Sequence, residues 1–390
     1  MRLPDRYRKR DGGNSRKPIH FGMAIFVGCA IAIVAADELR AQTRRSAPVR
    51  LDGNFSLLST HYRVSGIAAR REPFSWLFSG SMNLRLLGID FPFSATVSEQ
   101  HRTFRQPFNQ YGLSPHYKSI TFHFGYRSIR LSQYTLAGAT FLGAGVELDP
   151  GIIRIAAMSG RFQKAVENDT IAAIPIRPAY ARRGYGLKIG FGSARTFLDF
   201  ILFKAEDDSA SVSFVPPSLD ILPAENLVVG INTRIGFSKS FRIEGEIAGS
   251  ALNRDIRSPV IGTDDHPAAR YLRGLITPRA SFQATLAARI SAIVSLARFR
   301  LRTEYERIEP DYTTLGAYYF NTDIENITLS PGFDLFMGKV RVSVSAGRQR
   351  DNLADKKLAQ TVRTIGSADI AWDPSQTFGM SVQYGNFSTN

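Results

Sequence analysis

Between Leu227 and Asn253 the chain carries two long alternating runs joined by a three-residue link. In the first, Leu227, Val229, Ile231, Thr233, Ile235 and Phe237 alternate with Val228, Gly230, Asn232, Arg234 and Gly236. After Ser238-Lys239-Ser240, Phe241, Ile243, Gly245, Ile247 and Gly249 alternate with Arg242, Glu244, Glu246, Ala248 and Ser250. A period of two puts successive side chains on opposite faces of a strand, so each run has one apolar and one polar or charged face. A link this short makes the runs an antiparallel hairpin. Each limb is roughly ten to twelve residues long, about double the usual strand of a soluble domain. That is the length a tilted strand needs to cross a bilayer.

The pattern recurs along the chain. Ala297, Phe299, Leu301, Thr303 and Tyr305 alternate with Arg298, Arg300, Arg302, Glu304 and Glu306. Phe282, Ala284, Leu286, Ala288 and Ile290 alternate with Gln283, Thr285, Ala287 and Arg289. Val340, Val342, Val344 and Ala346 oppose Arg341, Ser343 and Ser345, and near the start Trp76, Phe78, Gly80, Met82, Leu84 and Leu86 oppose Ser79, Ser81, Asn83 and Arg85. Strands are predicted at about 54–63, 74–87, 89–99, 119–127, 139–148, 152–164, 180–192 and 196–205. They continue at about 227–237, 241–253, 280–290, 293–306, 324–336, 340–349, 363–372 and 377–387. No helical periodicity competes with them.

The connections fall into two classes. Tight ones include Asp149-Pro150-Gly151, Gly192-Ser193-Ala194-Arg195, Ser238-Lys239-Ser240, Met337-Gly338-Lys339 and Pro374-Ser375-Gln376. Long polar ones cover about 100–118, 165–179, 206–226, 254–279, 307–323 and 350–362. From 152–164 onward the classes alternate, as in membrane barrels with tight turns at the periplasmic rim and long loops outside. The order fails once, near Ser128 to Gly138, where an inserted or inward-folded piece is expected. The last link is tight, so strand 377–387 should run outward. A complete bacterial barrel has an even strand count and ends at the periplasmic side, so a missing C-terminal strand or strands is expected.

Composition narrows the class. No run of about eighteen apolar residues suggests a spanning helix, and the single cysteine, Cys29, leaves no disulfide framework. Arg6, Arg8, Lys9, Arg10, Arg16 and Lys17 precede an apolar stretch from Phe21 to Ala36, which reads as a secretory signal peptide over 1–41, cleaved after Ala41. A lipoprotein cysteine at Cys29 and an uncleaved anchor stay open as alternatives. The formal net charge is +15, and it stays strongly positive once the signal is removed. Export and long amphipathic strands argue against a nucleic-acid partner, so a basic pore or contact with anionic lipid headgroups accounts for the charge.

Three stretches carry a resemblance. Asn226 to Asn253, Gly316-Ala317-Tyr318-Tyr319-Phe320-Asn321 with Asp323-Ile324-Glu325-Asn326, and Gly347-Arg348-Gln349-Arg350-Asp351-Asn352-Leu353 resemble segments of large outer-membrane β-barrel proteins from Bacteroidota. The resemblance covers most of the chain after the signal. Its motifs are structural, and they imply a fold and no assigned activity.

Which face meets lipid decides what the polar residues mean. An Arg or Lys on the lipid face costs roughly 2–4 kcal/mol at the midplane. The faces carrying Arg234, Arg242, Glu244, Glu246, Arg289, Arg298, Arg300, Arg302 and Arg341 are therefore expected to line the lumen, with His123, Arg127 and Lys188 of the same parity. Phe237, Ile243, Phe299 and Leu301 should meet lipid. The competing assignment makes the charged face the solvated side of a soluble sheet. Enzyme signals are poor: His20, His61, His101, His116, His123 and His266 include no pair at metal-ligand spacing. Asp207-Asp208 with Asp264-Asp265 offers calcium ligands, but solvated loop acids are the preferred reading. Gly184-Tyr185-Gly186 and Gly190-Phe191-Gly192 lie within a strand pair, not before a helix, so they are not phosphate loops.

These readings predict an all-β chain, an antiparallel transmembrane β-barrel of about sixteen or more strands over 42–390, with long extracellular loops. It is expected in the bacterial outer membrane, without enzyme activity, cofactor, metal or nucleic-acid partner. Passage of small hydrophilic solutes, anions among them, is the expected function. The alternative is a non-conducting barrel whose loops serve adhesion or the assembly of a surface or secretion complex. The sequence names no protein partner.

Overall fold

The computed structural model describes residues 49–67, 73–98, 109–168, 177–262, 270, 272, 274–319, 321–375 and 377–389. The signal-peptide expectation for 1–41, Cys29 and Asp264-Asp265 lie outside them. The strands are β1 (Arg50–His61), β2 (Phe74–Leu86), β3 (Ile89–Ser98), β4 (Gln110–Leu113), β5 (His116–Tyr117) and β6 (Ile120–Arg130). Next come β7 (Ala137–Leu148), β8 (Ile153–Gln163), β9 (Ala181–Gly192), β10 (Phe197–Asp208), β11 (Glu225–Gly236) and β12 (Phe241–Asn253). The last six are β13 (Phe282–Ser295), β14 (Phe299–Ile308), β15 (Ile324–Leu335), β16 (Val340–Arg350), β17 (Val362–Trp372) and β18 (Met380–Thr389). Two single-turn 3-10 segments, Pro217–Leu219 and Phe336–Gly338, are the only named helical elements among the described residues.

All eighteen strands belong to one sheet. From β1 to β3 and from β6 to β18 each strand pairs antiparallel with the next in sequence. β4 and β5 share one place between β3 and β6, the break falling at Ser114-Pro115. Proline has no N–H to give to a ladder, which suits it to such a break.

This broken strand corrects the sequence reading, which placed 100–118 in a long connection. Pieces of four and two residues are too short to carry a legible alternation. Counting the pair as one strand restores the alternation of rims over the whole meander. Short links follow β2, β5, β7, β9, β11, β13, β15 and β17, and the longer or inward-folded ones fall at the opposite end. The segment between β6 and β7 thus belongs to the long-loop rim. β1 and β18 run in the same sense, from the turn rim to the loop rim. Among the described residues no ladder joins them.

The sheet wraps around an interior. Across the sheet β12 and β14 lie six and eight places from β6, roughly 30–40 Å if it were flat. Yet the Tyr134 backbone N–H, just past β6, donates to Glu246 Oε1 of β12 at 2.9 Å, and its hydroxyl donates to Glu306 Oε1 of β14 at 2.7 Å. The face these glutamates occupy is the inner one. The outer face carries Tyr185, Leu187, Ile189 and Phe191 on β9, Val229, Ile231 and Ile235 on β11, Leu286 and Ile290 on β13, and Ile327, Leu329 and Phe333 on β15. All are exposed. An apolar surface of this extent on a single chain marks a face that meets lipid or a partner.

The main apolar core lies inside the barrel, not between layers. Inner-face Phe141, Ala156, Met158, Phe162, Ile201, Phe203, Val228, Ala248, Ala287 and Ile308 gather around Leu131, Tyr134 and Leu136 of the β6–β7 segment and Tyr312 of the β14–β15 loop. Small inner-face residues make the room. At Gly186 an added Cβ would come within 2.8 Å of Leu131 Cδ1.

The rim assignment has a direct test. A cysteine replacing Asp208, at the loop rim, is expected to react with impermeant maleimide on intact cells. One replacing Lys239, in the turn between β11 and β12, should react only after the outer membrane is opened. The opposite pattern would invert the orientation.

Candidate functional site

The inner wall is built by side chains of even number on β11, β12, β14 and β15 and of odd number on β13, which register brings level with one another. Arg234 of β11 stands opposite Glu244 of β12, and its Nε donates to Glu244 Oε1 at 2.9 Å. Arg242 donates to the same oxygen at 3.1 Å. Arg289 of β13 lies between Glu246 and Glu306 in register, with its guanidinium 3.8 Å from Glu246. Arg302 is paired with Glu304, which also accepts from Ser291 Oγ. Glu306 accepts from Tyr134 Oη and from Asn326 Nδ2. Arg341 of β16 reaches Asp373, beyond β17, at 2.7 Å.

Two of the anticipated arginines stand apart. Arg300 faces inward from β14, with no carboxylate in ion-pair distance among the described residues. Arg298 is a correction: it lies in the turn 296–298, outside β14, and is exposed. The sequence reading ran a strand over 293–306, through this turn, because Ser295-Leu296-Ala297-Arg298 holds none of the Gly, Pro, Asn or Asp that mark tight turns. The inner wall is therefore mostly compensated. Its glutamates neutralise the arginines that parity alone would count as a positive ladder.

Sequence reading missed a second paired layer. Arg154 of β8 donates to Asp199 Oδ1 of β10 at 2.7 Å across the intervening β9. Gly190 permits this, since a Cβ there would collide with the same oxygen. The Arg154 guanidinium also lies 4.3 Å from the centre of the Phe197 ring, and that of Arg234 lies 5.3 Å from it. Nearer the first strands, His123 bridges two elements. Its Nδ1 is 3.0 Å from Ser114 Oγ and its Nε2 is 3.0 Å from Glu147 Oε2. His123 is buried. It was legible as an inward histidine, whereas Ser114 sits in the unpredicted β4–β5 break. Arg127 donates to Ser94 Oγ at 2.7 Å, and Lys188 faces inward from β9.

The inward-folded segment divides the interior. The Tyr312 hydroxyl donates to the Tyr134 carbonyl at 2.6 Å, and the Thr314 hydroxyl donates to the Thr135 carbonyl at 2.6 Å. The Ala137 N–H donates to the Gly316 carbonyl at 3.1 Å. Two loops that the sequence separates widely therefore fasten each other inside the barrel. Toward the turn rim a recess of about 270 Å³ lies under Leu131, Ser132 and Gln133, against Asn232, Arg234, Glu246 and Arg289. A wider one of about 790 Å³ runs along β13 to β17 past Arg300, Arg302, Ser330, Ser343, Ser345 and Asp369. Apart from Ile293, its inward side chains are hydroxyls and charges, which a column of water can solvate.

The outer loops hold themselves in ion pairs. Asp323 joins the β14–β15 loop to the next long loop through Lys357 Nζ and accepts from the Leu353 N–H at 2.7 Å. Burial pushes its carboxyl up, but the Lys357 ammonium and backbone N–H groups hold it below the ordinary range. Asp207, one of the acids weighed as a calcium ligand and set aside, is engaged by Arg182 at 2.7 and 2.9 Å.

No protein family and no curated protein matches the chain. Solved structures similar to it include the Pseudomonas aeruginosa outer membrane protein OprD, at 10% identity and a TM-score of 0.42, covering 87% of each chain. Pseudomonas aeruginosa OpdQ is similar at 10% identity and a TM-score of 0.44, covering 88% of this chain and 93% of that one. Acinetobacter baumannii OccAB1 is similar at 9% identity and a TM-score of 0.43, covering 87% and 90%.

Proposed function

We propose that this chain is a porin-like barrel of the bacterial outer membrane that passes small hydrophilic solutes. One observation carries the reading: a meander of membrane-length strands, apolar on its exposed outer face and, beside the inner apolar cluster, charged or hydroxylated within toward the turn rim. In lipid every backbone polar group must be paired, which β-barrels achieve by closing; since no ladder joins β1 to β18 among the described residues, closure of this sheet is part of the proposal. Barrels of this strand number leave an aqueous interior unless something fills it. Here the inward-folded segment fills part of the loop-rim half, leaving the polar recesses toward the turns. The likeness to Bacteroidota barrels rests on the three stretches quoted above, and kinship with that group is part of the proposal.

Anions are favoured modestly. Arg234 and Arg242 share one carboxylate, Glu244, and Arg300 adds an uncompensated guanidinium. Inward cations of this kind raise the local concentration of anions. Reversal potentials across a salt gradient test it. The full chain should favour chloride over potassium by roughly two- to threefold, and Arg242→Gln with Arg300→Gln should bring the ratio near one. A cation-preferring wild-type chain would reject the selectivity.

A second reading has an observation of its own. The apolar cluster around Tyr134 is buried and runs from β6 to β14, as in a barrel that is shut and serves adhesion or complex assembly through its loops. Conductance separates the two.

A further inference from the structure

Two arginines stand side by side on the outside of the sheet. Arg161 of β8 is directly opposite Arg183 of β9 in register. Each has the outward parity of its strand. Ala156, Met158 and Phe162 of β8 join the inner cluster, so Arg161 points the other way. Arg183 shares its face with Tyr185, Leu187, Ile189 and Phe191, all exposed on the outer side. Opposed side chains on adjacent strands start roughly 5 Å apart, and like charges there destabilise the pair. Register continues the row from Arg183 to Glu206 of β10 and Glu225 of β11. Glu225 is taken by Lys204 at 2.9 Å, and Asp207 is taken by Arg182 on the inner side. Among the described residues neither Arg161 nor Arg183 has a carboxylate within ion-pair distance.

In the other direction the row runs through Leu142 of β7 to Tyr126 of β6. Arg161 Nη2 lies 3.5 Å from Tyr126 Oη. Tyr126 meets the exposed Tyr111 of β4 edge-on, with ring centres 6.2 Å apart. From Arg183 toward the turn rim, Tyr185 opens the apolar run that ends at Phe191. Tyrosines at the edge of an outward apolar band mark the depth of lipid headgroups. The arginine pair is at that depth, at the loop-rim edge of the band.

We propose that Arg161 and Arg183 together bind the phosphate of a lipid headgroup in the leaflet at the loop rim, and that this phosphate is a monoester. Guanidinium forks match phosphate oxygens two at a time. A phosphomonoester brings close to two negative charges, which neutralises two cations that repel each other when the site is empty. The inference rests on the membrane reading above and adds a lipid site to the outside of the barrel.

A single-tryptophan chain tests it. Tyr185→Trp in a Trp76→Phe, Trp372→Phe background places the fluorophore on the outer face, two residues from Arg183 toward the acyl chains. The full-length chain is reconstituted in phosphatidylcholine vesicles carrying brominated phosphatidic acid, brominated phosphatidylglycerol or brominated phosphatidylcholine. Each cation near an anionic membrane surface is worth about a fivefold preference. Quenching should therefore show phosphatidic acid favoured roughly tenfold or more over phosphatidylcholine. It should also lead phosphatidylglycerol, whose diester carries a single charge. Arg161→Gln with Arg183→Gln should remove most of the preference. If the double variant does not insert, Arg183→Gln alone should lower it about fivefold. Phosphatidic acid quenching no better than either other lipid, or a preference that survives the substitutions, overturns the inference. So does its abolition by inorganic phosphate at constant ionic strength, which would mark a site for free phosphate. Absence of quenching by all three lipids would instead reject the membrane reading on which the inference rests.

Discussion

Ile231→Arg is expected to abolish assembly into the outer membrane, whereas Asn232→Arg, one residue along, assembles normally. The two positions are the middle of β11 and differ only in face. Ile231 is on the outer side, level with Phe200 of β10 and Ile247 of β12, and is 38% exposed to whatever surrounds the barrel. A guanidinium there costs roughly 2–4 kcal/mol near the midplane, a large part of the stability of about 5–15 kcal/mol that folded proteins possess. Asn232 is on the inner side, level with Asp199 and Glu246, where a new arginine finds two carboxylates and water. Heat-modifiable gel mobility and recovery in the outer-membrane fraction read both variants. Equal tolerance at the two positions would mean that the outer face does not meet lipid.

The second large effect is at the inward-folded segment. Tyr134 is fully buried, packs edge-on against Tyr312 with ring centres 6.4 Å apart, and hydrogen-bonds Glu306. Removing a buried aromatic ring costs roughly 3–5 kcal/mol through lost transfer energy and the cavity left behind. The strand ladders do not depend on that ring, so the wall should stand while the segment loosens. Tyr134→Ala is expected to lower the melting temperature and raise single-channel conductance several-fold. Tyr134→Phe keeps the ring and loses only the bond to Glu306, and should fall between Tyr134→Ala and wild type. Unchanged conductance in Tyr134→Ala would show that the segment does not limit the passage.

Much of this was legible because a strand's face is a local property. The β11–β12 hairpin follows from alternation alone, and so does the inward parity of Arg234, Glu244, Glu246, Arg289 and Arg302. The irregularity after Ser128 was also visible, since Ile129 to Tyr134 fits neither a strand nor a turn. Register was not legible, because it depends on partners distant in the chain. Without it, the pairing of Arg154 with Asp199 across β9 was hidden, and whether Glu246, Glu304 and Glu306 neutralise the arginines of the inner wall could not be read. The β4–β5 strand escaped because its pieces are shorter than one period of evidence. The partner of the inward segment escaped for another reason: Tyr312 and Thr314 lie in a loop with no pattern that distinguishes folding inward from facing solvent.

The central claim is that water and small ions cross the interior of this barrel. Purified full-length chain in a planar lipid bilayer measures it most directly, with insertion verified by maleimide labelling of a cysteine at Asp208 from one side only. The account predicts stepwise, ohmic current increments that grow with salt concentration. Bilayers that stay silent while labelling proves the barrel inserted would contradict it.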